Sequence, residues 1–312
     1  MSMTLLQLVQ ATADELGLPR AQTVVGSTDN TTRRLYAFMN SSGNEIYQAA
    51  AWTFLQNEHI INVETPTEVV GDVTEGDTTI TNIVGIGSAL QAGAYAIAGE
   101  GMPTAQRLVS FTSLTECEAE MEATATGTAV PLQFARDTYA LPTEFSRYIT
   151  GTWWDRTNHW MLMGPQSPQF DQWQRSGIVT TGPRIRWRQV GLPPTAFRLW
   201  PPPTISSVPD ALVFEFVSNG WVQTSAGQFQ NGFTADNDVT LLDDYAMIKS
   251  AKWRMNQSLG FDYAAMQAEY LDYLARLKAR DGGLIDVDMT RNGYPYLITS
   301  GSVQDGNWPG RA

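Results

Sequence analysis

Ile46-Tyr47-Gln48-Ala49-Ala50-Ala51-Trp52-Thr53-Phe54-Leu55-Gln56-Asn57-Glu58-His59-Ile60-Ile61-Asn62-Val63 decides the fold, because one hydrophobic period ends inside it and another begins. Upstream, Leu35, Phe38, Met39, Ile46, Ala49, Ala50 and Thr53 recur at the intervals of a single helix face. Asp29 or Asn30 can cap that helix. Continued to about Glu58 it would be roughly 40 Å long. Gly43 lies within it and marks a close contact or a bend. From Ile60 the period changes, and Val63 to Val70 reads as extended.

Towards the N-terminus, Leu5, Leu8, Val9, Thr12 and Leu16 form the buried stripe of a first helix, which Gly17 and Pro19 stop. Towards the C-terminus, short runs read as strands separated by glycine-rich turns: residues 77–83, 94–97, 106–110 and 127–132. They make a small β module, 63–136. Ten acidic residues and one basic residue, Arg107, fall between positions 64 and 122. Glu116, Glu118, Glu120 and Glu122 alternate, so in a strand they share one solvated face. A second antiparallel β region follows, 137–235, with strands near 148–154, 159–162, 184–188, 197–200 and 212–217. A short helix begins after Ser167-Pro168, a cap and first-turn pair.

Helix returns after 236. Asp238 or Thr240 can cap a helix that Gly260 ends, with Asp243 and Asp244 at the positive end of its dipole. Asp262 caps the last one, whose stripe is Tyr263, Met266, Tyr270, Leu274 and Leu277, and Gly282-Gly283 stops it. Residues 284–312 lack a sustained period and carry Tyr294, Pro295, Tyr296 and Trp308. They read as an extended arm that orders against a neighbour, or as a frayed terminus. The expected class is therefore α+β. The helices of 1–62 and 236–283 form one bundle, and β-rich regions are inserted between them, including a small β-sandwich or barrel-like module.

Composition narrows the function. Charged residues are only 17% of the 312, whereas Trp 10, Tyr 11 and Phe 12 make the chain aromatic-rich. Depleted charge and enriched aromatics characterise buried contacts between proteins, and equally a tryptophan-rich β-sandwich. The net charge of −12 argues against a grip on phosphates. An acidic surface would repel DNA passing beside it, as a channel wall does, but many ordinary soluble proteins are equally acidic. Cys117 is the single cysteine, so neither an intrachain disulfide nor a cysteine-based zinc site is expected. Neither a signal peptide nor an apolar run of membrane-spanning length is read from the sequence, so no membrane insertion is expected.

Catalytic patterns are scarce. His59 and His159 are the only histidines, and no metal or other cofactor is expected. Gly85-Ile86-Gly87 lacks the third glycine of a dinucleotide loop, and neither a phosphate-binding loop nor a nucleophile elbow is present. Asp236-Asn237-Asp238 resembles a fragment of a calcium loop without its downstream ligands; a turn and cap accounts for it better. Trp153, Trp154 and Trp160 form the densest aromatic cluster. They read as a sheet core or subunit contact, or alternatively as a sugar-stacking surface with Glu144 or Asp155 as hydrolytic carboxylates. Arg184, Arg186 and Arg188 alternate with apolar residues, so their side chains share one strand face, suited to an acidic neighbour.

Several stretches, in order, resemble the head-to-tail adaptor proteins of short-tailed bacteriophages, the group similar to tail tubular protein A. They are Thr4-Leu5-Leu6-Gln7-Leu8-Val9-Gln10, Glu15-Leu16-Gly17-Leu18-Pro19, Val24-Val25-Gly26-Ser27-Thr28-Asp29 and Trp52-Thr53-Phe54-Leu55. Tyr139-Ala140-Leu141-Pro142, Trp154-Asp155-Arg156-Thr157, Gly164-Pro165-Gln166-Ser167-Pro168, Ser176-Gly177-Ile178, Phe214 through Trp221 and Ala279-Arg280-Asp281-Gly282-Gly283 continue the series. The resemblance implies a non-enzymatic virion protein, made in the host cytoplasm. It forms a ring, typically of twelve copies, between the portal protein and the tail nozzle protein. The ring extends the DNA channel without sequence-specific binding, and tail fibres can anchor at its periphery. Expected contacts are the arginine face of Arg184, Arg186 and Arg188 and the arm with Tyr294, Tyr296 and Trp308. The alternative class is a tail-associated glycan-binding or glycan-hydrolysing β protein.

Overall fold

The computed structural model describes residues 2–103, 106–175, 186–191, 196–203 and 210–281. Helix α1 spans Leu5–Leu16. Thr4 and Gln7 close a reciprocal capping box over its first turn. Gly17, in the left-handed conformation at φ 67°, ends it. Helix α2 spans Asn30–Ala49, capped by the Asp29 carboxylate, which accepts from the Thr32 amide at 2.8 Å. Its buried stripe includes Leu35, Met39 and Ile46, as the periodicity predicts.

The helix stops nine residues before the expected Glu58, for a local reason. The Trp52 indole N–H donates to the Ile46 carbonyl at 2.7 Å. It thereby satisfies one of the last carbonyls that have no partner inside a helix. A short 3-10 turn, Thr53–Leu55, then turns the chain into strand β1, Gln56–Asn62. That strand pairs antiparallel along its whole length with β14, Ala211–Ser218, from Gln56 opposite Val217 to Asn62 opposite Ala211.

Six strands between β1 and residue 136 close into an antiparallel barrel. They are β2 Thr67–Val73, β3 Thr79–Val84, β4 Tyr95–Gly99, β5 Gln106–Ser113, β6 Glu116–Ala119 and β7 Gly127–Arg136, in the spatial order β2-β3-β6-β5-β4-β7. Closure removes the open edges that short strands would otherwise present. Val69, Ile80, Ile97, Leu108, Cys117, Leu132 and Phe134 fill the interior. Across β6 the alternation is as expected: Cys117 and Ala119 are buried, while Glu118 and the following Glu120 face solvent.

The second β region contains β8 Thr138–Ala140, β9 Phe145–Tyr148, β10 Trp154–Asp155, β11 Trp160–Met161, helix α3 Pro168–Arg175, β12 Arg186–Val190, β13 Ala196–Trp200 and β14. One sheet runs β1-β14-β10-β11, with β9 also on β14; another runs β12-β13-β8. Their facing side chains make a second core, built on Trp153, Trp187, Phe197, Leu212, Phe214 and Phe216. Three short strands follow, β15 Val222–Gln223, β16 Phe229–Gln230 and β17 Val239–Thr240.

Helices α4, Asp244–Leu259, and α5, Ala264–Asp281, complete the chain's described part. Asp243 is the α4 cap, not Asp238 or Thr240, because Thr240 is taken into β17. Helix α4 contacts α1, α2 and α5 and is buried on most of its surface, from Ala246 to Asn256. One hydrophobic core therefore draws on both ends of the sequence: Leu5, Leu8 and Val9 with Met247, Tyr270 and Leu274. Ion pairs Lys252–Glu15 and Arg254–Glu45 bracket it.

The core is joined to the β region by Trp221, fully buried just after β14. Its ring lies on α2 where the side chain is absent: a Cβ at Gly43 would come within 2.1 Å of the indole. Tyr36 and Asn40, two turns and one turn earlier, bond the carbonyl and amide of Phe233, each at 2.8 Å. Tyr36, Asn40 and Gly43 thus make one docking face of α2.

Two tests follow from this packing. Gly43→Ala gains about 1 kcal/mol of helix propensity but overpacks the indole, which costs typically 1–3 kcal/mol and more when little can move. A net loss of about 2 kcal/mol in urea unfolding is expected, with Gly87→Ala, whose Cβ would meet open space, within about 0.5 kcal/mol of the parent. Burial, and secondarily Glu116, pushes the Cys117 thiol up to about 12. A thiol reagent at pH 8 should therefore label the folded protein far more slowly than the unfolded chain; equal rates would mean that the barrel interior is open to solvent.

Candidate functional site

Parity along one strand separates the tryptophans. Trp153 points inwards and is stacked between Trp187 and Phe214, with ring centroids 4.0 Å away on each side. Offset or parallel aromatic stacks of this kind add about 1 kcal/mol beyond their buried area. Trp154 points the other way and is 46% exposed; Trp160, across the hairpin, is 45% exposed. On the outer face of the sheet, Ile60, Val213, Trp154 and Met161 stand opposite one another on β1, β14, β10 and β11.

Beside this row is an open cleft of about 420 Å³ lined by Glu58, Thr152, Trp154, Arg156, His159 and Glu215. Arg156 pairs with Glu58 across it, and Glu58 and Glu215 are opposed in register. Asp155 lies on the buried side. Its Oδ1 accepts from the amides of Thr157 and Asn158 at 2.8 and 3.0 Å, and its Oδ2 from the Asn158 side chain. This carboxylate shapes the turn between β10 and β11. Asn158 also bonds Asp210, whose carboxyl is raised by burial and by the charge of Asp155. Glu144 bears instead on His59, whose imidazole burial lowers and Glu144 raises, with burial the larger effect. Glu144 and Asp155 thus serve different surroundings.

The arginine strand is partly engaged within the chain. Arg184 lies outside the described residues. Arg188 donates to Asp171 of α3 at 2.8 Å, and Arg198 from β13 pairs with the same carboxylate. Asp171 and Arg198 are both buried. The guanidinium carbon of Arg186 lies 5.5 Å from the Phe170 ring centroid, within cation–π range. Helix α3 is thereby held against β12 and β13, and its Phe170 and Trp173, three residues apart, are left on the surface. No motif in the sequence singles out these two aromatics. Their spacing around Asp171 carried the signal: rings on one face of a short helix and an acid directed elsewhere. Tyr294, Tyr296 and Trp308 lie outside the described residues.

No family model matches the chain, and no curated protein matches it in sequence. Among the described residues no group of three or more His, Cys, Asp or Glu side chains could hold a metal ion, and no helix is long and apolar enough to cross a membrane. Asp236 accepts from the Val24 and Val25 amides and Asp238 from the Thr234 and Ala235 amides. Both carboxylates of the calcium-loop fragment therefore fix backbone.

Removing one member of a buried ion cluster leaves an uncompensated charge, at a cost of about 3–5 kcal/mol. Asp171→Ala should lower stability to urea by at least about 3 kcal/mol and release α3, measured as increased proteolysis near Arg175. Native-like stability and cleavage would show that α3 is held by other contacts.

Proposed function

We propose that the chain is a structural adaptor of a short-tailed phage virion, forming a ring between portal and tail nozzle. The observation that carries this reading is the placement of large aromatic side chains outside all three cores. Trp154, Trp160, Phe170 and Trp173 are each at least two-fifths exposed on the β region. Aromatic side chains left on the surface are enriched where proteins meet one another. The resemblance implies helices packed side by side around the DNA channel and β domains facing outward or towards the tail, where such aromatics would meet other proteins. The work of such a protein is mechanical: it extends the channel, seals the packaged head and offers docking surfaces to nozzle and fibres. No side chain is assigned a catalytic role.

The Trp154 cleft favours a second reading, a glycan-binding β protein, because an exposed indole beside Glu58, Arg156 and Glu215 can stack on a sugar ring and bond its hydroxyls. Native mass spectrometry of the chain, alone and with portal rings from the same phage, separates the two. The adaptor reading expects a fixed number of copies added to each portal ring. A chain that stays monomeric with portal present, and whose tryptophan fluorescence is quenched by cell-surface oligosaccharide, would replace it with the second.

A further inference from the structure

Two features, one on α3 and one on the barrel, complement one another. The first is the aromatic pair of α3. Phe170 and Trp173 have ring centroids 5.4 Å apart and are 41% and 48% exposed. They are not on a loose helix, since Asp171 is clamped by Arg188 and Arg198. Arg186, over the Phe170 ring, supplies positive charge at the base of the pair.

The second is a groove of about 600 Å³ on the outer face of the barrel, between β2, β4 and β7. Val70, Val84 and Pro131 form apolar walls, and Glu68 and Glu100 stand among the lining residues. Under the groove β4 and β7 lie close together at Gly99, where a Cβ would meet the Pro131 carbonyl at 2.5 Å and the interior Leu132 side chain at 2.6 Å. Val70 and Val84 are 40% and 66% exposed. The surrounding module is strongly acidic, with Arg107 the one basic residue between positions 64 and 122. One surface is thus aromatic and positive, the other apolar and negative, and such complementarity selects partners.

We infer that the α3 aromatic pair of one copy seats in the acidic barrel groove of a second copy of this chain. Each copy carries one of each surface, and the two differ, so the contact is heterologous. Repeated head to tail, a heterologous contact closes into a ring when its rotation permits. The inference rests on the ring reading above and supplies the contact which that reading needs between neighbours. Phe170 and Trp173 are the anchors, because buried aromatic residues dominate such interfaces. Arg186 with Glu68 and Glu100 fixes orientation.

Cysteine cross-linking tests the contact without altering either surface's key residues. Gln169→Cys lies beside the aromatic pair, and Gln133→Cys lines the groove; the native Cys117 is buried. The two full-length variants are mixed, with portal rings present and absent, and oxidised. A covalent dimer is expected from the mixture and not from either variant alone. Adding Trp173→Asp to the Gln169→Cys chain should lower the yield by roughly tenfold or more. Absence of the mixed dimer, or an unchanged yield with Trp173→Asp, overturns the inference. Native mass spectrometry of the same samples separates it from the ring reading. Rings without the cross-link sink the contact alone, the cross-link with only dimers sinks the ring alone, and neither rings nor cross-link sinks both.

Discussion

The seat of Trp221 on Gly43 is the contact on which the rest of the molecule depends. An indole can lie against a helix backbone only where a side chain is missing, and α2 provides that gap at one position. The ring packs edge-on against Phe233, 5.2 Å away, and the backbone around Phe233 is read by Tyr36 and Asn40. Residues that follow the central strand β14 are in this way tied to a helix formed almost two hundred positions earlier. The same segment receives the N-terminus: the amides of Leu5 and Leu6 donate to the carbonyls of Asp238 and Asp236. Both ends of the described chain thus close on one core.

Strand β14 transmits that closure outwards. Leu212, Phe214 and Phe216 face the aromatic core of the β region, whereas Val217 belongs to the helical core. One strand therefore divides two interiors, and a shift in its register by one residue would exchange them. The barrel joins the same frame through Glu64, whose carboxylate pairs with Arg136 and accepts from Tyr95 and whose amide donates to Tyr139, and through the amides of Asp137 and Thr138, which donate to the Ala94 carbonyl. A fold with three separate interiors has much surface per residue. It can hold aromatic side chains outside its cores at fixed positions, which suits a part that works by contact.

Much of this was legible in the residues. The stripe of α1, the Asp29 cap of α2 and the alternating runs of the barrel follow from local chemistry, which sequence spacing records directly. What was not legible is non-local. Gln56 to Glu58, the start of β1, read as helix until the Trp52 indole is seen to close α2 at Ile46 and β14 is seen to pair with the segment that follows. Trp153 and Trp154 are adjacent in sequence and opposite in role, which only strand parity decides. Arg188, expected to meet an acidic neighbour, meets Asp171 of its own chain, because α3, which precedes β12 in the sequence, packs back against that strand. The groove among β2, β4 and β7 arises from barrel closure and has no linear signature at all.

Hydrogen exchange on the free, full-length chain addresses the frame itself. If Trp221 and Gly43 unite the helices with the segment after β14, the slowest amides of α2, of α4 and of residues 221–242 open together, with one free energy and one dependence on denaturant. Barrel amides that open at a lower free energy of their own leave that result unaffected. Residues 221–242 exchanging well before α2 and α4 would contradict the account, since the β region would then be an appendage of the helices and not part of their core.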